Sequence, residues 1–336
     1  MNKPVTPNLT RAQPLAVTID NFTRAESDMY FASTIKLAGG IGRFDHRREL
    51  MPIDAQTVVR ANRDTLYSAA VIDLDAGPAT VILPDAGARF MSLMALDEEQ
   101  YAFGVWYGAC AVTFSRERVG TRYMMAAVRT LVDPTTPGDF ERAHALQDRI
   151  AIEQPRTGRF EVPDWDAASQ GRVRDALVAL GASLPDSRRT FGTREQVDPV
   201  RHLVGTAVGW GGNPERHALY LGVTPRRNDG RTVHELRLGE VPVDGFWSIS
   251  VYNARGYFEP NARDAYTVNG YTAQREEDGT VLVQFGGCPD GNEHRNGRAA
   301  NCLPVMPGWN YTVRLYRPRA ELLSGAWTFP AAEPVT

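Results

Sequence analysis

The sequence predicts a mainly β protein made of two β-sandwich regions with a small helical insert between them. Three observations predict it. Between Val58 and Val132 the chain breaks into short apolar runs (TLYSAAVIDL, ATVILP, RFMSLMAL, YAFGVWYG, CAVTF, MMAAVRTLV) separated by Gly, Pro and Asp clusters, the spacing of an antiparallel sandwich. A second series of such runs fills residues 216–316. Helical periodicity is concentrated in residues 24–38 and 136–200. At 336 residues the chain exceeds the usual size of a single core. The expected division is 1–135 for an N-terminal β-sandwich domain with a leading helix, 136–200 for the helical insert, and 201–336 for a jelly-roll-like C-terminal domain.

In chain order, Phe31, Ile35 and Ala38 recur at helical spacing and stop at Gly39 and Gly40, a helix with a glycine terminator. The stretch IGRFDHRREL after it is polar and reads as a turn, with His46 on the surface. Asn62, Asp64 and Thr65 crowd the loop before the first strand, where capping of their own turn competes with a ligand contact. The insert carries two helices, one from Asp139 with Phe140, Ala143, Leu146 and Ile150 inward, the other from Trp165 to Leu180 with Gly181 at its end. Strands then follow at 216–224, 231–238, 246–253, 264–269, 280–287 and 309–316, with NDGR at 228–231 and EDG at 277–279 as tight hairpin turns. Unequal connections among six or more strands favour a jelly-roll-like sandwich over a meander.

The strand around which the C-terminal region is organised is FWSISVY. After Asp244 and Gly245, alternation sends Trp247, Ile249 and Val251 to one face and Phe246, Ser248, Ser250 and Tyr252 to the other. The first face reads as core. The second, two hydroxyls between two aromatic rings, suits a pocket wall, against the blander reading of an ordinary half-exposed sandwich strand.

Several functional classes lose support. A net charge of -3 without runs of like charge gives no nucleic-acid footprint and no patch for an anionic membrane. No apolar run approaches the ~20 residues of a membrane span. The N-terminal segment lacks a positive region followed by an apolar run and cleavage site, so a cytoplasmic location is expected. There is no G-x-S-x-G, Walker loop, H-E-x-x-H or dinucleotide fingerprint, and no cofactor is implied. A triad assembled from distant positions stays open, because triads are defined by geometry. Among the six histidines, His217 and His234 share expected strand faces with leucines, and His202 precedes GTAVGWGG at the entry to the second β region. Each is a candidate general base, weighed against a satisfied core histidine.

The stretch from Asn62 to Ser68, followed by VIDLDAGPATVILPD and RF, resembles the bacterial domain of unknown function 1254. FWSISVYNARGYFEPN, DGTVLVQF, NCLPVMPGWNYTVRLYRP and GAWTFP resemble its usual companion, domain of unknown function 1214. The resemblance implies an immunoglobulin-like N-terminal sandwich, a small helical part and a jelly-roll-like C-terminal domain, and it implies no activity. Where many relatives have Asn-Trp-Leu-Pro, this chain has Asn301-Cys302-Leu303-Pro304.

The functional expectation is a cofactor-independent enzyme, hydrolytic or acid/base, acting on a small organic metabolite in or beside the C-terminal sandwich. Its candidate catalytic residues are His202, His217, His234, Ser248 and Ser250, with Trp210, Phe246, Tyr252, Asn62 and Asp64 as candidate ligand contacts. The alternative is a non-catalytic small-molecule or carbohydrate-binding protein of the same fold. A structural or assembling protein is a third reading, in which a second copy of the chain is the partner. Cys288 and Cys302 enclose thirteen residues rich in Gly, Asn and Arg. A disulfide closing that loop would contribute about 3 kcal/mol in the chain-entropy model, whereas a reducing compartment opposes it. Free thiols are the second reading. A metal site completed by His294 ranks last, since Cys-x5-His-x7-Cys gives only three ligands.

Overall fold

The computed structural model describes residues 13–56, 58–184, 186–289 and 301–335. The described residues form sixteen strands and six α-helices, and the protein is mainly β. The N-terminal strands are β1 (Asp45–His46), β2 (Thr65–Asp73), β3 (Ala79–Leu83), β4 (Met91–Asp97), β5 (Ala102–Tyr107), β6 (Cys110–Phe114), β7 (Tyr123–Leu131) and β8 (Ala151–Glu153). The C-terminal strands are β9 (Ala218–Val223), β10 (His234–Leu238), β11 (Trp247–Tyr252), β12 (Thr267–Asn269), β13 (Val281–Phe285), β14 (Cys302–Leu303), β15 (Asn310–Tyr316) and β16 (Glu333–Pro334). The helices are α1 (Phe22–Ala38), α2 (Arg116–Val119), α3 (Asp139–Gln147), α4 (Ala167–Gly181), α5 (Pro199–Gly209) and α6 (Ala320–Ser324).

Four sheets pack in two pairs. In the N-terminal half, β1-β2-β7-β4-β5 lies against β6-β3-β8 over a core that includes Ile72, Val81, Leu93, Phe114 and Val128. In the C-terminal half, β12-β11-β15-β9 lies against β14-β13-β10-β16 over Leu236, Ile249, Val283, Phe285, Trp309 and Val313. The strands therefore bury one face in their own core by simple alternation. The third core is helical, joining Phe22 of α1, Leu177 of α4 and Val204 of α5.

Local chemistry accounts for most boundaries. Gly39 ends α1 with φ +71°, the left-handed conformation expected of a glycine terminator. Gly245 lets β11 start against β15, because a Cβ there would lie 2.6 Å from the Tyr316 carbonyl oxygen. α5 begins Asp198-Pro199, and the Asp198 carboxylate accepts from the amides of Val200 and Arg201. The expected end of the helical part is residue 200, whereas α5, opened by this cap, runs on to Gly209. The insert also gives a strand, β8, to the N-terminal sandwich by pairing with β3. His46 lies on β1 rather than in a turn, its Nδ1 2.8 Å from Ser68 Oγ.

The two tight turns are where the sequence places them, but neither closes a hairpin. β9 pairs with β15, and β10 pairs with β13 and β16, so 228–231 crosses from one sheet to the other. The turn at 277–279 makes the same kind of crossing between β12 and β13. Turn chemistry is local: Asp229 accepts from the amides of Arg231 and Thr232 at 2.8 Å each. Which strands then pair is decided by the sandwich.

Candidate functional site

The outer faces of two sheets meet between the halves of the chain. β2, β7, β4 and β5 place Tyr67, Arg129, Ser92 and Tyr107 in register in one row across the N-terminal sheet. From the C-terminal sheet, β11 presents Phe246, Ser248, Ser250 and Tyr252, β15 presents Thr312, Arg314 and Tyr316, and β9 presents Tyr220. The face of β11 predicted to wall a pocket is thus covered by the other domain. Ser248, Ser250 and Tyr252 are fully buried, and none of the three candidate histidines shares their surroundings.

Arg314 joins the halves. It donates from Nη1 to Ser250 Oγ at 2.9 Å, and from Nη2 to Tyr252 Oη and the Arg60 carbonyl at 2.7 Å and the Ala61 carbonyl at 3.2 Å. Tyr252 Oη in turn donates to the Ala61 carbonyl at 2.7 Å. Arg60 takes the left-handed conformation, φ 52°, which turns its carbonyl and that of Ala61 onto the guanidinium. Beside them Asp64 is completely buried, and Asn269 donates to it at 3.0 Å. Burial pushes the Asp64 carboxyl above the usual carboxylate range, against the opposing pull of Arg314, Ser248 and Asn269.

One row away stands a different cluster. Asn62 Nδ2 donates to Tyr316 Oη at 2.9 Å and to Tyr67 Oη at 3.2 Å, while its Oδ1 accepts from the Asp64 amide at 2.6 Å. Asn213 Nδ2 donates to Tyr220 Oη at 3.1 Å, and its Oδ1 accepts from Arg129 at 3.3 Å. Both amide orientations are fixed, because a backbone N–H and a guanidinium can only donate. Each of the three phenols therefore accepts an amide N–H and keeps its own proton, for which no acceptor is in place among the described residues.

Arg129 completes this cluster. It is 9% exposed, its guanidinium lies 5.5 Å from the Tyr67 ring centroid, and its further contact is the Gly211 carbonyl at 3.5 Å. Among the described residues no carboxylate pairs with it; the groups around its charge are the phenols of Tyr67, Tyr220 and Tyr316. Burial, with Tyr220 and Tyr67 adding to it, holds the Tyr316 hydroxyl well above the ordinary phenol range, so it stays a neutral donor.

At the end of the row Tyr107 Oη is 3.0 Å from His217 Nδ1. Burial pushes Tyr107 up to about 12. Burial first, then Arg216 and Arg317, pushes His217 down to about 4, leaving a neutral and weakly basic imidazole. His217 lies in the turn before β9 and reaches Tyr107 instead of packing with Leu219 and Leu221. The other two candidates lie away from this row, and His234 keeps a buried Nε2 without a partner among the described residues. His202 on α5 faces the Thr190 and Glu99 carbonyls at 3.1 and 2.9 Å and stacks on Tyr101 at 4.4 Å. His234 is buried in the C-terminal sandwich, edge-on to Trp309, with Nδ1 against the Thr232 carbonyl at 3.0 Å. Trp210 stacks on Tyr30 and donates to Ser27 Oγ at 3.1 Å. Phe246 stacks on Tyr316 at 4.3 Å and walls a surface cleft of about 460 Å³ with Trp247, Tyr271, Arg275 and Arg319.

Asp64 thus comes together with Ser248 beside Arg314, Ser250 and Tyr252, Asn62 joins the tyrosine cluster one row away, and Arg129, Tyr67, Tyr220, Tyr316 and Asn213 were missed. A signal existed. An arginine inside an otherwise apolar strand, as in MMAAVRTLV and NYTVRLY, is a buried charge announced in advance.

Cys288 and Cys302 are disulfide-bonded, with Cα atoms 5.7 Å apart. His294, the third member of the alternative metal reading, lies outside the described residues. Among the described residues no group of three or more His, Cys, Asp or Glu side chains could hold a metal ion. No described helix is long and apolar enough to cross a membrane.

Fold and site together define a two-domain, mainly β protein with a donor-rich cluster shared by its halves. Residues 41–113 match the family described as Protein of unknown function (DUF1254), and residues 224–320 match Protein of unknown function (DUF1214). The chain belongs to the family that carries these two domains in that order. A crystal structure of a Vibrio parahaemolyticus protein is similar at 17% identity with a TM-score of 0.72, covering 95% of this chain and 98% of that one. A putative uncharacterized protein from Burkholderia cenocepacia is similar at 16% identity with a TM-score of 0.52, covering 94% of this chain and 87% of that one. Both likenesses concern the fold. No curated protein matches the sequence.

Proposed function

We propose that the interdomain cluster binds a small organic acid and that the protein is a small-molecule binder. The observation that supports this is the surplus of donors: a buried guanidinium whose acceptors are Asn213 Oδ1 at 3.3 Å, the Gly211 carbonyl at 3.5 Å and the Tyr67 hydroxyl, beside three phenols whose own protons have no acceptor among the described residues. A carboxylate offers two planar oxygens, accepts a bidentate guanidinium and takes phenolic protons as well. Arg129 and Tyr316 are buried while Tyr67 and Tyr220 are half-buried, so a ligand that pairs with the buried donors favours binding.

The enzymatic reading has weaker support. An acid/base reaction without cofactor needs a competent base, and His217, the candidate histidine next to the cluster, is held as a poor one. The Cys288–Cys302 bond supports an oxidising compartment in place of the cytoplasmic location expected from the N-terminal sequence.

The test is calorimetric titration of the protein with a panel of carboxylic acids and with the matching amides and alcohols. Acids should bind, neutral analogues should not, and Arg129→Met should abolish the heat while leaving the circular dichroism spectrum unchanged. Equal binding of acids and amides would overturn the proposal. Turnover of any panel member would restore the enzymatic reading.

A further inference from the structure

The same outer sheet face changes character one row beyond Arg129. Ala69 and Ala127 are direct cross-strand partners on β2 and β7, and both are partly exposed although they sit in the middle of nine-residue strands in a five-stranded sheet. Ala69 lies one strand in from the two-residue edge strand β1 and packs on the edge of the apolar cluster under α1, and Ala127 lies a strand further in, so the exposure of the pair marks a gap in the cover. Met94, next in the same row, is closed over, and so are Val71 and Met125, in the apolar cluster under α1 and Trp210. The gap therefore has an alanine floor, a polar end at Tyr67 and Arg129, and an apolar end where Trp210 stacks on Tyr30 at 4.6 Å.

The segment Trp210-Gly211-Gly212-Asn213 links these features. Trp210 packs at the apolar end, the Gly211 carbonyl touches Arg129, and Asn213 orients Tyr220. Glycine is required twice: Gly211 has φ +75°, and a Cβ on Gly212 would lie 2.5 Å from the Phe191 ring. Residues two apart on one strand face are about 7 Å apart, so the alanine floor begins beside the base of Arg129, within reach of a ring whose carboxylate its guanidinium holds. Two alanines make a flat, shallow floor, which suits a planar ring better than a branched chain.

Resting on the proposed binding function and extending it, we infer that the cleft selects acids whose carboxylate is borne on a flat aromatic ring, with Ala69 and Ala127 as the specificity-determining floor. Arg129 holds the charge, and the alanines admit the ring because they carry nothing beyond Cβ.

The experiment compares benzoate with acetate by calorimetric titration on the full chain. Benzoate should bind the native protein at least about tenfold more tightly than acetate, the range expected for burying one ring. Ala127→Leu should lower benzoate affinity far more than acetate affinity and so remove the preference, while Arg129→Met should lose both acids. Ala69→Leu is the second floor variant, and thermal melts of each establish that it folds. If acetate binds as well as benzoate, or if both floor variants keep the preference, the inference fails and the organic-acid reading stands. If neither acid binds the native chain, both fail.

Discussion

Two arginines lie on the same interdomain layer and are buried to a similar degree, yet they are treated in opposite ways. Arg314 meets four acceptors at 2.7 to 3.2 Å, two of them carbonyls turned toward it by the left-handed backbone at Arg60. Arg129 meets Asn213 Oδ1 and the Gly211 carbonyl at 3.3 and 3.5 Å and the Tyr67 hydroxyl, and the groups around its charge are phenols that also donate. A buried charge whose hydrogen bonds are all made stiffens a structure, whereas one left short of acceptors destabilises it until something arrives. The first belongs to folding. The second is what the proposed binding site rests on.

The largest effect expected from breaking this contrast is Arg314→Met, which leaves the Arg60 carbonyl without its partner and takes the positive charge away from the buried Asp64. A loss of about 3 kcal/mol or more in urea unfolding is expected, and a loss below about 1 kcal/mol would show that Arg314 does not join the halves. Reducing the Cys288–Cys302 bond reopens its loop, and the C-terminal half should lose about 3 kcal/mol in the chain-entropy model. Thermal melts with and without dithiothreitol, compared with Cys302→Ser, check it.

The third effect is a pH dependence. His217 sits at about 4 in the folded chain, against about 6.5 when unfolded. Between those values the unfolded chain holds more protons, so stability rises with pH; the contribution is complete above about 6.5 and is lost as pH falls through about 4. His217→Asn should flatten the slope of stability against pH in that window. Asp64 has the opposite sign: its folded carboxyl titrates above the unfolded value, so its contribution declines as pH rises past about 3.9. The smallest change should be Arg129→Met without ligand, which removes an under-satisfied charge and should shift stability by less than about 1 kcal/mol. A loss as large as that of Arg314→Met would erase the contrast.

The fold was largely legible because alternation and turn chemistry are local. Every long strand appears within a few residues of its expected span, and Asp229 and Asp278 make their turns where expected. Pairing was not legible, since a turn between β9 and β10 looks alike whether it closes a hairpin or changes sheets. The site divides in the same way. The alternation of β11 separates Ser248 and Ser250 from Trp247 and Ile249, but alternation says nothing about what covers a face, and here another domain covers it. Arg129, from β7, is more than eighty residues in sequence from Asn213 and Tyr220, and no spacing rule joins such positions.

The donors of the cluster are divided between the halves: Tyr67 and Arg129 come from one, Asn213, Tyr220 and Tyr316 from the other. Neither half owns the cluster, and a gene cut between them would encode two pieces that each retain a sandwich core and lack the cluster. Expressed as separate polypeptides, the pieces would regain it only on reassociation, which makes the cluster a built-in reporter of fragment complementation.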